Sequence, residues 1–452
     1  MLTSHPPRRT ALLASILALA VGCQDPEADV TPASAPASVA DTTAREVPGI
    51  LYGRVLTHDG ETYEGRLRWG GDEEAFWDDA FNGVKDMNPW AQYAPVQERT
   101  PTRFFGIEIA WGDSEVDLSR PFLVRFGDVA RIESVGDGVQ GVVEDGAGFD
   151  PDVRVTLKSG TVFDLDRLEA SDFDDGVRVW DEGRGVVDVD AGDIRAIELL
   201  PTPRLGGVPA RLHGTVQTSE GAFTGFLQWD RDEAFSNNVL VGRTEAGERA
   251  VRFDAIRAVV PEADGARVTL RDGSEVVLTG TQMVGPGHRG VDVADPRYGR
   301  VRVSWGAVQR VDFRPAGSGP AYSDFRPGRP LSGTVTTRDG RRLRGRLVYD
   351  LDESETTETL DAPAAGVDYT IPFGLVAAID LPGPEAAASG LATVTLQSGE
   401  TLDLGRSGDL SNDNAGLLVF AAGDEDPEFV PWADVARIDF DPEAVLDDRL
   451  GE

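Results

Sequence analysis

Apolar positions along most of this chain recur at every second residue, in short runs broken by Asp-Gly, Ser-Gly or Glu-Gly pairs. Alternation of that kind puts one face of a strand in a core and the other in water. The glycine supplies the positive φ that a tight reversal needs. Residues 333–349 illustrate it. Thr334-Val335-Thr336 alternates, Asp339-Gly340 turns, and Leu343 to Tyr349 alternates again, so a hairpin is predicted. The same phrase occurs three times: GRVLTHDGETYEGRLRWGGDEEAF from Gly53, GTVQTSEGAFTGFLQWDRDEAF from Gly214 and GTVTTRDGRRLRGRLVYDLDESE from Gly333. In each, a second glycine (Gly65, Gly225, Gly345) sits inside the returning strand, where a sharp bend or a close backbone approach is expected. Each copy closes with an apolar run that predicts strand, short turn, strand: 122–135, 250–260 and 369–381.

A second phrase alternates with the first. It opens VRVTLKSGTVFDL at 153, ARVTLRDGSEVVL at 266 and ATVTLQSGETLDL at 392, and closes at 187–200, 301–313 and 429–440. The chain therefore reads A-B-A-B-A-B in modules of roughly 55 to 90 residues, and a repeat at such spacing outranks any single-residue motif. About five short strands per module predict an all-β fold of six small barrels in three A-B pairs, since one module alone has too small a core. The partition expected is A1 48–135, B1 136–201, A2 208–262, B2 263–315, a linker 316–328, A3 329–382, B3 383–441 and an acidic tail 442–452.

Gly-x-Val-x-Thr, a turn glycine, Gly-x-Leu, an Asp-Glu pair and a terminal strand-turn-strand resemble the Sm-like and SH3-like small barrels. GFLQWDRDEAFSNNVLV, from Gly225, is the nearest stretch. The resemblance implies the barrel shape. The RNA binding of Sm-like rings does not transfer with it, because a fold does not carry a function.

Charge points the same way. With 78 acidic against 43 basic residues the chain carries −35, which opposes binding to nucleic acid or anionic lipid over most of the surface. Only Lys85 and Lys158 are lysines. Cys23 is the sole cysteine, so an intramolecular disulfide and a cysteine-based zinc site are excluded.

That cysteine follows Arg8-Arg9 and the apolar run ALLASILALAVG, the plan of an export signal. Ala20-Val21-Gly22-Cys23 resembles the bacterial lipobox, which implies cleavage before Cys23 and lipid on that residue. Residues 1–23 are thus expected to be a lipoprotein signal. Residues 24–47, rich in Pro, Ala and Ser, read as a tether. The expected location is the bacterial cell envelope, periplasm or surface, with membrane attachment through the lipid alone.

Candidate chemistry is sparse. Asp72-Glu73, Asp232-Glu233 and Asp352-Glu353 follow Trp69, Trp229 and Tyr349 at equal spacing. Paired carboxylates can ligate calcium or act as acid and base, but neighbours on a strand face opposite ways, so solvated loops beside a core aromatic are the plainer reading. Sequence elbows for a nucleophile and phosphate-cradling loops are absent, and no catalytic residue is assigned. Trp180, Trp305 and Trp432 read as core. The first A module alone carries an insertion, 77–121, with Trp77, Phe81, Trp90, Tyr93, Phe104, Phe105 and Trp111. Such an aromatic loop caps a barrel or meets a partner.

These features predict a non-catalytic, lipid-anchored protein that binds or scaffolds another envelope component, a protein in the first instance, with no cofactor. A calcium- or carbohydrate-binding module is the alternative, and a carboxylate-dependent hydrolase a more distant one.

Overall fold

The computed structural model describes residues 49–70, 73–77, 79–85, 88–93, 103–104, 107–108, 120–135, 153–165, 173, 175–317, 319–383, 390–423 and 426–442. Cys23 and the tether lie outside them. Every predicted hairpin is present. The first repeat contains β1 (Tyr52–Thr57), β2 (Thr62–Trp69), β3 (Ala80–Lys85), the short β4 (Arg103–Phe104) and β5 (Ile107–Glu108), β6 (Arg120–Arg125) and β7 (Val129–Ser134). It continues with β8 (Val153–Leu157), β9 (Val162–Leu165), β10 (Val177–Asp181), β11 (Gly185–Val189) and β12 (Ile194–Leu199).

The second repeat runs β13 (His213–Gln217), β14 (Ala222–Trp229), β15 (Val239–Thr244), β16 (Gly247–Arg252) and β17 (Ile256–Glu262). Then come β18 (Gly265–Leu270), β19 (Glu275–Thr279), β20 (Val291–Asp295), β21 (Gly299–Val303) and β22 (Arg310–Phe313). In the third are β23 (Ser332–Thr337), β24 (Arg342–Val348), β25 (Thr359–Ala364), β26 (Val367–Pro372) and β27 (Val376–Asp380). It ends with β28 (Ala392–Leu396), β29 (Thr401–Leu404), β30 (Leu417–Phe420), β31 (Glu428–Val430) and β32 (Val435–Phe440).

The protein is all-β, as expected, but A and B are not side by side. In the first repeat the order is β11-β10-β2-β1-β12-β7-β8-β9, and the other repeats keep the same order for their equivalents. The opening A hairpin β1-β2 therefore lies between B strands β12 and β10, and the closing strands β7 and β12 pair with each other. In the second repeat β15 and β16 extend this sheet beyond β19. The order is then symmetric about the β17–β22 pair: each half supplies hairpin, hairpin and a closing strand, and each half's opening hairpin is held by the other half. The sheets are open at both ends. Apolar burial is thus shared between the two halves of each pair, as the small size of one module demands.

The glycine prediction has a specific basis. A Cβ at Gly65, Gly225 or Gly345 would collide with the carbonyl oxygen of Trp180, Ala294 or Phe420 respectively. At this point the A hairpin meets the partner half's strand, so the close approach is the seam of the exchange.

The repeats join at several seams. Strand β26 of the third pairs with edge strand β21 of the second over Val303↔Val367 to Arg300↔Thr370, and one apolar core runs through both. The first repeat has its own core, completed by Tyr322 and Phe325 from the stretch read as a linker. Tyr322 donates its hydroxyl to the Val129 carbonyl at 2.7 Å, and its ring meets Phe76 at a tilt, 4.9 Å between centroids. Ile50 of the first repeat packs with Ala234 and Phe235 of the second.

The insertion requires a correction. Its start, 80–85, is not loop but strand β3, which pairs with β6 (120–125) in a hairpin equivalent to β15-β16 and β25-β26, while the strand expected from residue 122 is present in β6. The added residues are 86–119, at the hairpin's tip. Alternation in Ala80-Phe81 is hard to see in the sequence because the residues after it are so rich in aromatics.

Candidate functional site

Each repeat turns sharply after its β2-type strand, and the three turns are closed by the same pair of backbone hydrogen bonds. Trp229 and Glu233 exchange backbone hydrogen bonds at 2.8 and 3.1 Å, as do Trp69 with Glu73 and Tyr349 with Glu353. Between them the chain visits the left-handed region: φ is 53° at Gly70, 51° and 71° at Asp230 and Arg231, and 53° and 54° at Asp350 and Leu351. Left-handed φ is costly for residues other than glycine and tolerable for Asp, so Arg231 and Leu351 hold theirs against a local preference.

The preceding aromatics are core residues. Trp69, Trp229 and Tyr349 are fully buried, each against the phenylalanine that opens the three-residue turn before β7, β17 or β27. The ring separations are 5.6 Å for Phe126, 5.8 Å for Phe253 and 5.1 Å for Phe373. Trp305 and Trp432 occupy equivalent turns of the other half and meet Trp229 and Tyr349 edge-on at 5.5 and 5.6 Å. Trp180 lies apart, under the guanidinium of Arg66.

Glu73 and Asp232 come to one cleft, whereas Glu233, Asp352 and Glu353 are not among the residues that line it. Asp72 lies outside the described residues. Asp232 pairs with Arg289. Half-buried Glu233 keeps one carboxylate oxygen without a hydrogen bond, and burial, then Asp232 and Asp230, push its pKa up to about 7. Asp352 is bound by Lys85, which comes from the first repeat and also reaches Glu358 at 3.1 Å. Glu353 is pushed well above the usual carboxylate range by burial first and by Asp352 second. Burial likewise lifts Asp409 to about 8 and Asp350 to about 6. Among the described residues no group of three or more His, Cys, Asp or Glu converges as a metal site would.

The insertion's aromatics are occupied inside the molecule where they are described. Phe81 is fully buried in the first core. Trp77 faces Phe325 at 5.5 Å. Trp90 and Tyr93 each meet Phe420 of the third repeat edge-on at 5.9 Å, beside buried Leu351. Asn88 donates to the Leu351 carbonyl at 2.7 Å. The side chain of Phe104, and Phe105 and Trp111 altogether, lie outside the described residues.

A cleft of about 600 Å³ opens where the three repeats meet. Glu73, Asp79, Asn82 and Leu123 come from the first, Gln228, Arg231, Asp232, Arg289, Arg300 and Arg302 from the second, and Asp368 and Thr370 from the third. Arg300 and Arg302 sit two apart on β21, so both face the same side, and both grip buried Asp292 at 2.6 and 2.8 Å. Burial pushes Asp292 up, but the two guanidiniums outweigh it and hold it below the ordinary range. The motif Arg300-Val301-Arg302-Val303 was the one sequence sign of this wall. Nothing local tied it to Arg231 or Arg289.

Fold and cleft define the class: an all-β protein of three repeats, each of two intertwined halves, around a shared polar cleft. No protein family, curated protein or solved structure matches the chain.

Proposed function

We propose that this is a non-catalytic, lipid-anchored protein of the bacterial cell envelope that receives another envelope component in the cleft between its repeats. In this reading its A-B pairs, built from modules of the small-barrel kind, act as one rigid frame. The observation that carries the reading is that side chains from all three repeats line a single cleft. Repetition alone would be satisfied by three separate faces. A lining drawn from three copies, with different residues at the same turn in each, is what a shared receptor site requires. The aromatic segment, read from the sequence as a cap or a partner surface, has Trp90 and Tyr93 against the third repeat. That placement supports the cleft over the insertion as the binding face.

The test uses a photo-crosslinking side chain at Asp368, on the cleft, or at Val186, exposed on the outside of the first repeat, in the full chain expressed in membranes. A discrete adduct from position 368 and none from 186 is expected. Adducts from 186 alone, or from neither, overturn the reading. In parallel, Cys23→Ser is expected to move the protein from the membrane fraction to the soluble one; retention in the membrane would remove the lipid anchor from the proposal.

A further inference from the structure

We propose that the cleft binds an acidic sugar, a hydroxyl-rich ligand whose carboxylate is held by Arg231. The inference rests on the cleft being the binding face and names the chemistry that enters it.

Arg231 carries the argument. Its guanidinium has no hydrogen bond or ion pair among the described residues, whereas Arg289, Arg300 and Arg302 around it are all paired. Repulsion from Arg302, then burial, then Arg300 and Arg289 lower its pKa, while Asp292 opposes. Arg231 is thus an arginine with no ion-pair partner of its own, held beside three paired ones, on a molecule of charge −35. The planar fork of a guanidinium matches the two oxygens of a carboxylate. Its backbone φ of 71° is also unfavourable for arginine, and the turn needs none: the third repeat places Leu351 there, buried against the insertion. At this position the copies diverge, and only the second directs a charge into the shared space.

The other walls choose the rest of the ligand. Glu73, Asp79 and Asp368 are acceptors, and Asn82, Gln228 and Thr370 both donate and accept. Apolar surface is scarce there, which disfavours a peptide side chain or a lipid tail. Sugar hydroxyls, each donor and acceptor, satisfy such walls, and the volume lies within the ~300–1,000 Å³ of small-ligand sites.

The experiment is titration calorimetry of the full-length protein in detergent with glucuronate, a short oligouronate, glucose and sulfate, on wild type and Arg231→Gly. Arg231 is exposed and unpaired, and glycine accepts the left-handed turn, so the variant is expected to melt no lower than wild type. Saturable binding of glucuronate, weakened about tenfold or more by the substitution, is the expected result. Binding of the oligouronate alone, with the same sensitivity, supports the proposal and identifies a polymeric acidic glycan as the source. Equal binding of glucose, equal binding of sulfate, insensitivity to Arg231→Gly, or no binding at all overturns it. A cleft crosslink in membranes without uronate binding would leave the receptor reading standing and remove this one; uronate binding without a crosslink would do the reverse.

Discussion

Lys85 Nζ lies 3.1 Å from Glu358 Oε1, across 273 residues of chain, and the same ammonium also binds Asp352. Lys85 ends strand β3 at the base of the insertion, and the two acids flank the turn of the third repeat, so one buried cation closes the seam between first and last copies. Burial alone would lower its pKa, but Glu358 and Asp352 outweigh that and raise it. The chain's only other lysine also serves a seam: Lys158 donates to the Phe325 carbonyl at 3.2 Å and sits over the Tyr322 ring.

Removing one partner of a buried ion pair strands the other. Lys85→Met is expected to cost about 3–5 kcal/mol in urea unfolding, with Lys85→Met/Glu358→Gln recovering part of it. An unchanged midpoint in the single variant would mean that the seam is held elsewhere.

The glycines differ in kind. Gly225→Ala drives a methyl into the Ala294 carbonyl and is expected to cost about 3 kcal/mol, or to prevent folding. Gly60 has φ of 90° and open space where a methyl would stand, so Gly60→Ala carries backbone strain alone, about 1–2 kcal/mol. Chemical denaturation of both tests the order. Equal losses would show that the close approach between β14 and β20 is not tight.

Acidity should stabilise the third repeat. Asp409, with an ordinary value of 3.8, is raised to about 8 by burial first and then by Asp361, Asp350 and Asp352. Between those values the folded state holds a proton that the unfolded chain has lost. The contribution is therefore fully present below about pH 4 and is lost as pH rises towards 8. Asp409→Asn keeps an acceptor for the Asp361 amide, which donates to the carboxylate at 2.6 Å, and removes the charge. It is expected to flatten the fall in urea midpoint between pH 5 and 8 and to gain most at the alkaline end. A variant with the wild-type slope would refute the assignment.

The equivalents of the inserted hairpin close with Glu245-Ala246 and Ala365-Gly366. Replacing 86–119 by Ala-Gly should therefore leave β3-β6 intact. It uncovers Leu351 and Phe420, so a loss of about 2 kcal/mol and new binding of an apolar dye are expected. If melting temperature and dye binding stay as in the wild type, Trp90 and Tyr93 do not hold this seam.

Much of the secondary structure was legible in the chain. Period-two alternation around Asp59-Gly60, Asp272-Gly273 and Asp339-Gly340 marked hairpins that are present, because a hairpin is closed by residues adjacent in sequence. The close-approach glycines were legible too, although not what approaches them. The cleft was not. Arg300 and Arg302 show their shared face in the alternation of β21, but their neighbour Arg231 is 69 to 71 positions away, in the turn after β14.

The sequence by itself determined the strands, their turns and their threefold repetition, since each depends on contacts within a dozen or so residues. Only the tertiary structure decided that A and B hairpins exchange places, that β26 takes the free edge of β21, and that Trp90 rests on Phe420. Edge pairing uses backbone groups that every strand possesses, so no side-chain pattern announces which edges will meet. A cleft made by three such meetings exists only once all of them have formed.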